Sequence, residues 1–160
     1  SGYLVEQRQL CPTEFGLPNV RKRFYLVAGQ RALGSISVAA GEQAPLRAYL
    51  DAEWAAELAV PEDLERRYGE SLHTVEADDP TAVAACFTSA YGRSPVYCGS
   101  YLRQYGILRY FSPAEVARLL GFSEAFSLPP GYSKRQLWKL LGNSISIPAV
   151  RQVLKALPLD

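Results

Sequence analysis

The sequence predicts a mixed α+β chain whose regular elements gather at its two ends. Three observations carry that reading. Residues 4–10 alternate well enough for a strand, and residues 24–28 (F-Y-L-V-A) read as a second. Residues 108–150 hold capped, apolar-periodic segments of helical spacing. The stretch between is broken by glycine, proline and acidic residues, and predicts short elements and shaped loops.

In chain order, the two strands are joined by C-P-T-E-F-G-L-P-N-V-R-K-R, an irregular connection. A two-stranded unit is marginal in water, so the sheet is expected to be completed by something else. Arg21 and Arg23 alternate and share one face. Their rigid forks of donors suit a phosphate or a base edge, or they guard an ordinary strand edge. Residues 29–45 predict loop or weak strand, and residues 45–54 a short helix. Residues 61–68 predict a better one, with Pro61 at its start and i, i+4 pairs Glu62–Arg66 and Asp63–Arg67. Residues 83–88 predict a strand. The loop S-A-Y-G-R-S-P-V-Y-C-G-S-Y-L follows, in which Tyr91, Tyr97 and Tyr101 offer flat faces for stacked bases.

The helical end has the densest local logic. Ser112, Pro113 and Glu115 form a capping box with proline at the first helical position. Val116, Leu119 and Leu120 give one apolar face, and Gly121 ends the helix. A second helix is expected to turn Leu137, Leu140 and Leu141 inward, with Gly142 just past its end. Ile147-Pro148 opens a third, with Val150, Val153, Leu154 and Leu157 as its stripe. Packing accounts for three amphipathic helices but not for Gly142-Asn143-Ser144, a polar turn wedged between two of them.

Composition bounds the function. At 160 residues, 48% hydrophobic and 21% charged, the chain is an ordinary globular domain or a piece of a larger protein. No apolar run approaches the ~20 residues of a membrane span, and Ser1-Gly2-Tyr3 shows neither initiator Met nor signal-peptide pattern. Cys11, Cys86 and Cys98 are an odd count without C-x-x-C spacing. They point to a reducing compartment, the cytoplasm with the nucleus as a second location, and away from disulfides or zinc. No metal is expected, since Glu76, Asp78 and Asp79 suit turns before Pro80. His73 reads as a surface residue without a partner. Residues 42–79 hold eleven acids against three arginines, a net of −8, which leaves +9 on the remainder. Residues 86–111 contain no acid but three arginines and five tyrosines. Such segregation gives a basic face for polyanions, or simply decorates a surface.

Four ordered blocks resemble the cytosine-5 methyltransferase family. L-C-P-T-E-F-G-L-P-N-V-R-K-R-F-Y-L-V-A is similar to the segment where a Gln/Asn-x-Arg-x-Arg element opens a strand, with Asn19, Arg21 and Arg23 at its three positions. L-R-Y-F-S-P-A-E-V-A-R-L-L-G-F resembles the helix after the target-recognition region. L-L-G-N-S-I-S-I-P-A-V resembles the final motif. C-F-T-S-A-Y-G is similar to the C-F-T signature of the branch that methylates the anticodon-loop cytosine of aspartate tRNA. The acidic middle matches no block of the family.

The resemblance implies a fold, a cofactor and roles. The family has a doubly wound α/β sheet of seven mixed strands and a small recognition domain. Residues 1–28 would supply two late strands, residues 29–106 the target-recognition region, and residues 107–160 helices returning to the catalytic domain. The family adds a thiolate to cytosine carbon 6, so that carbon 5 can take a methyl group from S-adenosylmethionine, after the base leaves its stack. Arg21 and Arg23 would serve the catalytic pocket. Asn143 and Ser144 would meet the cofactor. Asn19, Cys86, Phe87, Thr88, Tyr91 and Arg93 would contact nucleic acid. The family's Gly-rich turn, Pro-Cys nucleophile and Glu-Asn-Val segment do not occur here, and Cys11-Pro12 reverses the order at a non-catalytic position. The chain is therefore expected to be a C-terminal portion of a longer protein, or one chain of a split enzyme, inactive alone, that needs an N-terminal segment bearing Pro-Cys. Its expected partner is tRNA, with no membrane. A DNA methyltransferase half and a non-catalytic nucleic-acid-binding or assembly module are the alternatives.

Overall fold

The computed structural model describes residues 2–38 and 41–158. Residues 39 and 40 of the expected 29–45 loop, and the extreme ends of the first and last segments, lie outside the described residues. The chain is mixed α and β, as predicted. Its elements are β1 (Leu4–Leu10), β2 (Arg23–Gly29), α1 (Glu62–Tyr68), β3 (Thr74–Glu76), β4 (Tyr101–Gln104), β5 (Ile107–Tyr110), α2 (Pro113–Leu119), α3 (Lys134–Gly142) and α4 (Ile147–Leu154). No helix among the described residues is long and apolar enough to cross a membrane.

β1 and β2 pair antiparallel, from Leu4 opposite Gly29 to Leu10 opposite Arg23. The connection between them holds a 3-10 turn, Pro12–Phe15, which Gly16 closes in the left-handed conformation. One face of this pair carries Tyr25 and Val27 onto Leu10, Ile36, Ala149, Val153 and Ala156. Period-2 alternation sends Val5, Phe24 and Leu26 to the other face, where they stay 55%, 62% and 54% exposed.

The second sheet has the order β3-β4-β5, with β3 parallel and β5 antiparallel to β4. Tyr105 and Gly106, at φ 52° and 78°, make the β4–β5 turn. Two successive positive φ values match the right-handed twist of the flanking strands. The main core lies between this sheet and the helices α2 and α3, with Phe87, Tyr91, Leu102, Phe111, Leu119 and Trp138 buried in it. The expected boundary at 106/107 falls in the β4–β5 turn, and the core continues across it.

One buried ion pair ties the core together. Arg109 on β5 and Glu115 on α2 are both fully buried and meet at 2.7 and 2.8 Å through two parallel bonds. Gln104 Oε1 accepts from Arg109 Nε and Nη2, and the Tyr110 carbonyl accepts from Nη1. Glu115 also accepts from the backbone N–H groups of Asp51 and Ser112. With Ser112 Oγ accepting from Glu115 N–H, the capping box of α2 forms as the sequence predicts. The Trp54 ring lies 5.4 Å from the guanidinium. Burying two charges is tolerated here because their hydrogen-bonding groups are met.

Several local expectations need correction. Residues 45–54 give only a 3-10 turn, Leu46–Tyr49, without a helix. Residues 83–88 form no strand but a single parallel bridge, Asn19 to Ala84. The two positions are fixed by Val20 N–H to the Ala84 carbonyl and Ala84 N–H to the Pro18 carbonyl. In α3 the inward residues are Trp138 and Leu141, whereas Leu140 is 52% exposed. Gly142 belongs to the helix and does not follow it. In α4, Val153 packs with Ala149 and Ala156, whereas Leu154 is 51% exposed. The alanines won the packed side because their small side chains admit β1 and β2 closely.

Removing one partner of a buried pair strands the other charge, which typically costs about 3–5 kcal/mol. Glu115→Ala should lower unfolding free energy in urea by about that amount, and Arg109→Met with Glu115→Leu by less than the sum of the single changes. A loss under ~1 kcal/mol for Glu115→Ala would remove the pair from its central place.

Candidate functional site

The site begins where β2 begins. Asn19 is buried, and its amide donates to the carbonyls of Ala84 and Ala85 at 3.3 and 3.1 Å, while its buried Oδ1 has no partner among the described residues. This ties the N-V-R-K-R segment to the backbone leading into C-F-T. Arg21 follows, 3% exposed. Its Nη1 donates to the Phe87 carbonyl at 2.8 Å, and its Nη2 donates to the Gly142 carbonyl at 3.0 Å and to the Ser144 carbonyl. Burial pushes the Arg21 guanidinium down from its usual value, opposed by the nearby Cys86 thiol. Arg21 makes no ion pair with a carboxylate among the described residues. The carbonyl end of α3, where a helix carries its partial negative charge, takes that place.

The polar turn is held from the other side by close approach. A Cβ on Gly142 would stand 2.2 Å from the Thr88 carbonyl carbon and 2.3 Å from Ser89 N. No side chain fits, so α3 ends directly on the C-F-T-S backbone. This is the physical reason for the glycine in L-L-G-N-S. Asn143 then caps the helix with ordinary right-handed geometry, and its exposed side chain makes no hydrogen bond among the described residues. Ser144 Oγ donates weakly to the Ile145 carbonyl at 3.5 Å.

Arg21 and Arg23 share one face as the alternation predicts, and both reach the same atom. Cys86 Sγ lies 3.5 Å from Arg21 Nη1 and 3.6 Å from Arg23 Nη2. Arg23 is exposed and folds back to its neighbour, the Lys22 carbonyl, at 2.8 Å. Three blocks far apart in sequence, those of Arg21, Phe87 and Gly142, therefore meet at one guanidinium. Cys11 is buried beneath them, accepting from Arg21 N–H at 3.4 Å. The cysteines Cys11, Cys86 and Cys98 are free, and burial pushes the Cys98 thiol up.

Not every expected residue is presented to a ligand. Phe87 and Tyr91 are each 2% exposed and pack edge to face at 5.0 Å. Tyr91 OH donates to the Ser100 carbonyl at 2.7 Å and accepts Phe111 N–H at 2.9 Å. Its phenol is pushed well up by burial. Tyr101 is fully buried, its OH donating to the Pro95 carbonyl at 2.9 Å. Base stacking on Tyr91 or Tyr101 is therefore corrected, and Phe87 has no exposed ring to offer nucleic acid: these rings fill the core. Tyr97 is the exception, 97% exposed and held at φ 60°. Thr88 N–H donates to the Cys98 carbonyl, and Thr88 Oγ1 accepts Ala90 N–H, so that residue shapes the turn. Arg93 is exposed beside α3. His73 has a partner after all, its Nδ1 lying 2.8 Å from Ser100 Oγ, which also accepts Ala85 N–H. No sequence pattern announced that pair.

Residues 102–158 match the family model described as C-5 cytosine-specific DNA methylase. The proteins this chain is similar to are named as cytosine-5 methyltransferases. A tRNA (cytosine(38)-C(5))-methyltransferase of Schizosaccharomyces pombe is 28% identical over 98% of this chain and 55% of its own length. One of Spodoptera frugiperda is 25% identical over 97% of this chain and 58% of its own. The solved structure of an Entamoeba histolytica methyltransferase superposes with a TM-score of 0.89 at 26% identity, covering 97% of this chain and 53% of that one. The chain thus spans about half the length of the relatives it matches.

Gly142→Ala should force α3 off residues 88–89, and overpacking of that kind costs about 1–3 kcal/mol. The check is thermal unfolding together with hydrogen exchange at residues 87–89 and 142–144. Wild-type protection there would mean that the close approach is not needed.

Proposed function

We propose that the chain is the C-terminal half of a tRNA cytosine-5 methyltransferase, which supplies target recognition and one wall of the base and cofactor pocket. The observation that carries this reading is the likeness of 98% of the chain to a tRNA (cytosine(38)-C(5))-methyltransferase, over only 55% of that protein. The meeting of three family blocks at Arg21 supports it. Residues 1–28, 29–106 and 107–160 then serve as late strands, recognition region and returning helices. The partner is an N-terminal segment bearing a Pro-Cys nucleophile. The exposed apolar face of β1 and β2 and the open apolar side of α4, lined by Ile147, Val150 and Leu154, are where such a segment would pack.

Within this reading Arg23, exposed beside Cys86, meets the extruded cytosine or orders the nucleophile loop. Arg21 holds the pocket wall in place. Asn143 offers an amide donor and acceptor with no partner among the described residues, the donor set that the ammonium and carboxylate of an amino acid need, with Ser144 beside it. That fits the amino-acid end of S-adenosylmethionine, which supplies the methyl group. Asn19 and Cys86 act by shaping this wall, and Thr88 and Arg93 lie on the side offered to RNA. The cytoplasm, with the nucleus as a second site, is the compartment proposed for this activity, in keeping with three free cysteines.

A DNA substrate is the second reading, favoured by a Dictyostelium discoideum DNA (cytosine-5)-methyltransferase that is 46% identical over 50 residues. Mixing the chain with a Pro-Cys segment and assaying methyl transfer to tRNA and to duplex DNA separates the two. Transfer to tRNA alone is expected, and complex formation without transfer to either would turn the reading toward a non-catalytic module. In the same assay Arg23→Ala should lower transfer at least tenfold, on the order of the ~10²–10³ that one catalytic donor contributes, with unchanged thermal unfolding. Undiminished activity would refute the role given to Arg23.

A further inference from the structure

A second basic feature lies outside the blocks that carried the family resemblance. Gly92, at φ 73°, lies so close to α3 that a Cβ there would stand 2.4 Å from the Trp138 ring. That approach sets Arg93 against the outer face of α3. Ser89, Tyr91, Arg93, Arg135, Gln136 and Lys139 line a cleft of about 170 Å³ between them. Three cations and no acid line it. In a chain with 16 acidic residues, Arg93, Arg135 and Lys139 are each exposed, and none of these three side chains makes a hydrogen bond or ion pair among the described residues. The neighbouring Lys134, by contrast, is paired with Glu57 at 3.1 Å.

Arg135 and Lys139 stand at i, i+4, where like charges repel and weaken a helix. Gln136 Oε1 is occupied by Ser133 N–H and Oγ in the capping box of α3, which leaves the Gln136 amide N–H groups to face outward. Donors therefore dominate the cleft, with the Ser89 hydroxyl able to donate as well as accept. An anion from outside would relieve the repulsion and satisfy the donors together, and two guanidinium forks around a small cleft suit phosphate oxygens better than a single carboxylate.

We infer that the cleft between the Ser89–Arg93 turn and α3 is a phosphate subsite, which grips the backbone of the RNA beside the reacting base. It rests on the tRNA reading given above, and adds Arg135 and Lys139 to the binding surface. Phosphate contacts position a strand without reading its sequence, so the subsite would set register while the base pocket chooses the cytosine.

The test uses the 160-residue chain with a fluorescent tRNA transcript and a fluorescent DNA duplex as probes, titrated from low to physiological salt. Arg135→Ala with Lys139→Ala should weaken tRNA binding about tenfold and flatten the salt dependence by about one to two, since each phosphate contact contributes roughly 0.7–0.9 to that slope. Arg135→Lys with Lys139→Arg should keep most of the binding. Arg66→Ala, on the acidic side, should change nothing, and circular dichroism checks that all variants fold. Tight, salt-dependent tRNA binding that the double alanine variant keeps in full would overturn the subsite and leave the tRNA reading standing. Equal losses for tRNA and duplex, with no preference between them, would keep the subsite and overturn tRNA as its ligand. No binding of either probe by the wild-type chain would overturn both.

Discussion

The candidate site depends on one buried guanidinium that no carboxylate meets among the described residues. Arg21 is satisfied instead by the carbonyls of Phe87, Gly142 and Ser144. Carbonyls from one segment could not surround a guanidinium; a fork with donors on several edges collects them from separate stretches. The negative end of α3 supplies part of the compensation. Loss of this charge would leave the β2 entrance, the C-F-T turn and the polar turn without the bond that joins them.

This also explains why the small residues around it matter. Gly142 lets α3 end on the Thr88–Ser89 backbone, and Gly92 lets the next turn lie on Trp138. The two close approaches lock α3 from both ends of the same loop. Asn143 and Arg23 are then left exposed on a rigid support, beside a surface whose apolar residues have no cover. Arg109 and Glu115 do the equivalent work in the main core, where a desolvated pair holds β5 to α2 and to the turn before Trp54.

The exposed apolar residues belong to the same account. Val5, Phe24 and Leu26 on the pair of strands, and Ile147, Val150 and Leu154 on α4, are too apolar for a finished surface. A helix with apolar residues on two sides belongs between two layers. One such layer packs on α4 among the described residues, and the proteins the chain is similar to are nearly twice as long.

Much of this was legible in the sequence. The alternation of residues 4–10 gave β1, the Ser112–Glu115 spacing gave the cap of α2, and the alternation of Arg21 and Arg23 put both on one face. These are local rules, set by chain periodicity and by hydrogen bonds between near neighbours. What the sequence could not tell is which apolar or aromatic residue wins the interior. Tyr91 and Tyr101 look like stacking platforms until the partners of their hydroxyls, Ser100 and Pro95, are known. Leu140 and Trp138 lie on opposite sides of α3, and the fold turns the Trp138 side inward, where the indole N–H donates to the Phe111 carbonyl. Arg21 and Arg23 read alike as letters. Only the fold buries one and leaves the other exposed, because burial depends on segments 66 to 123 residues away.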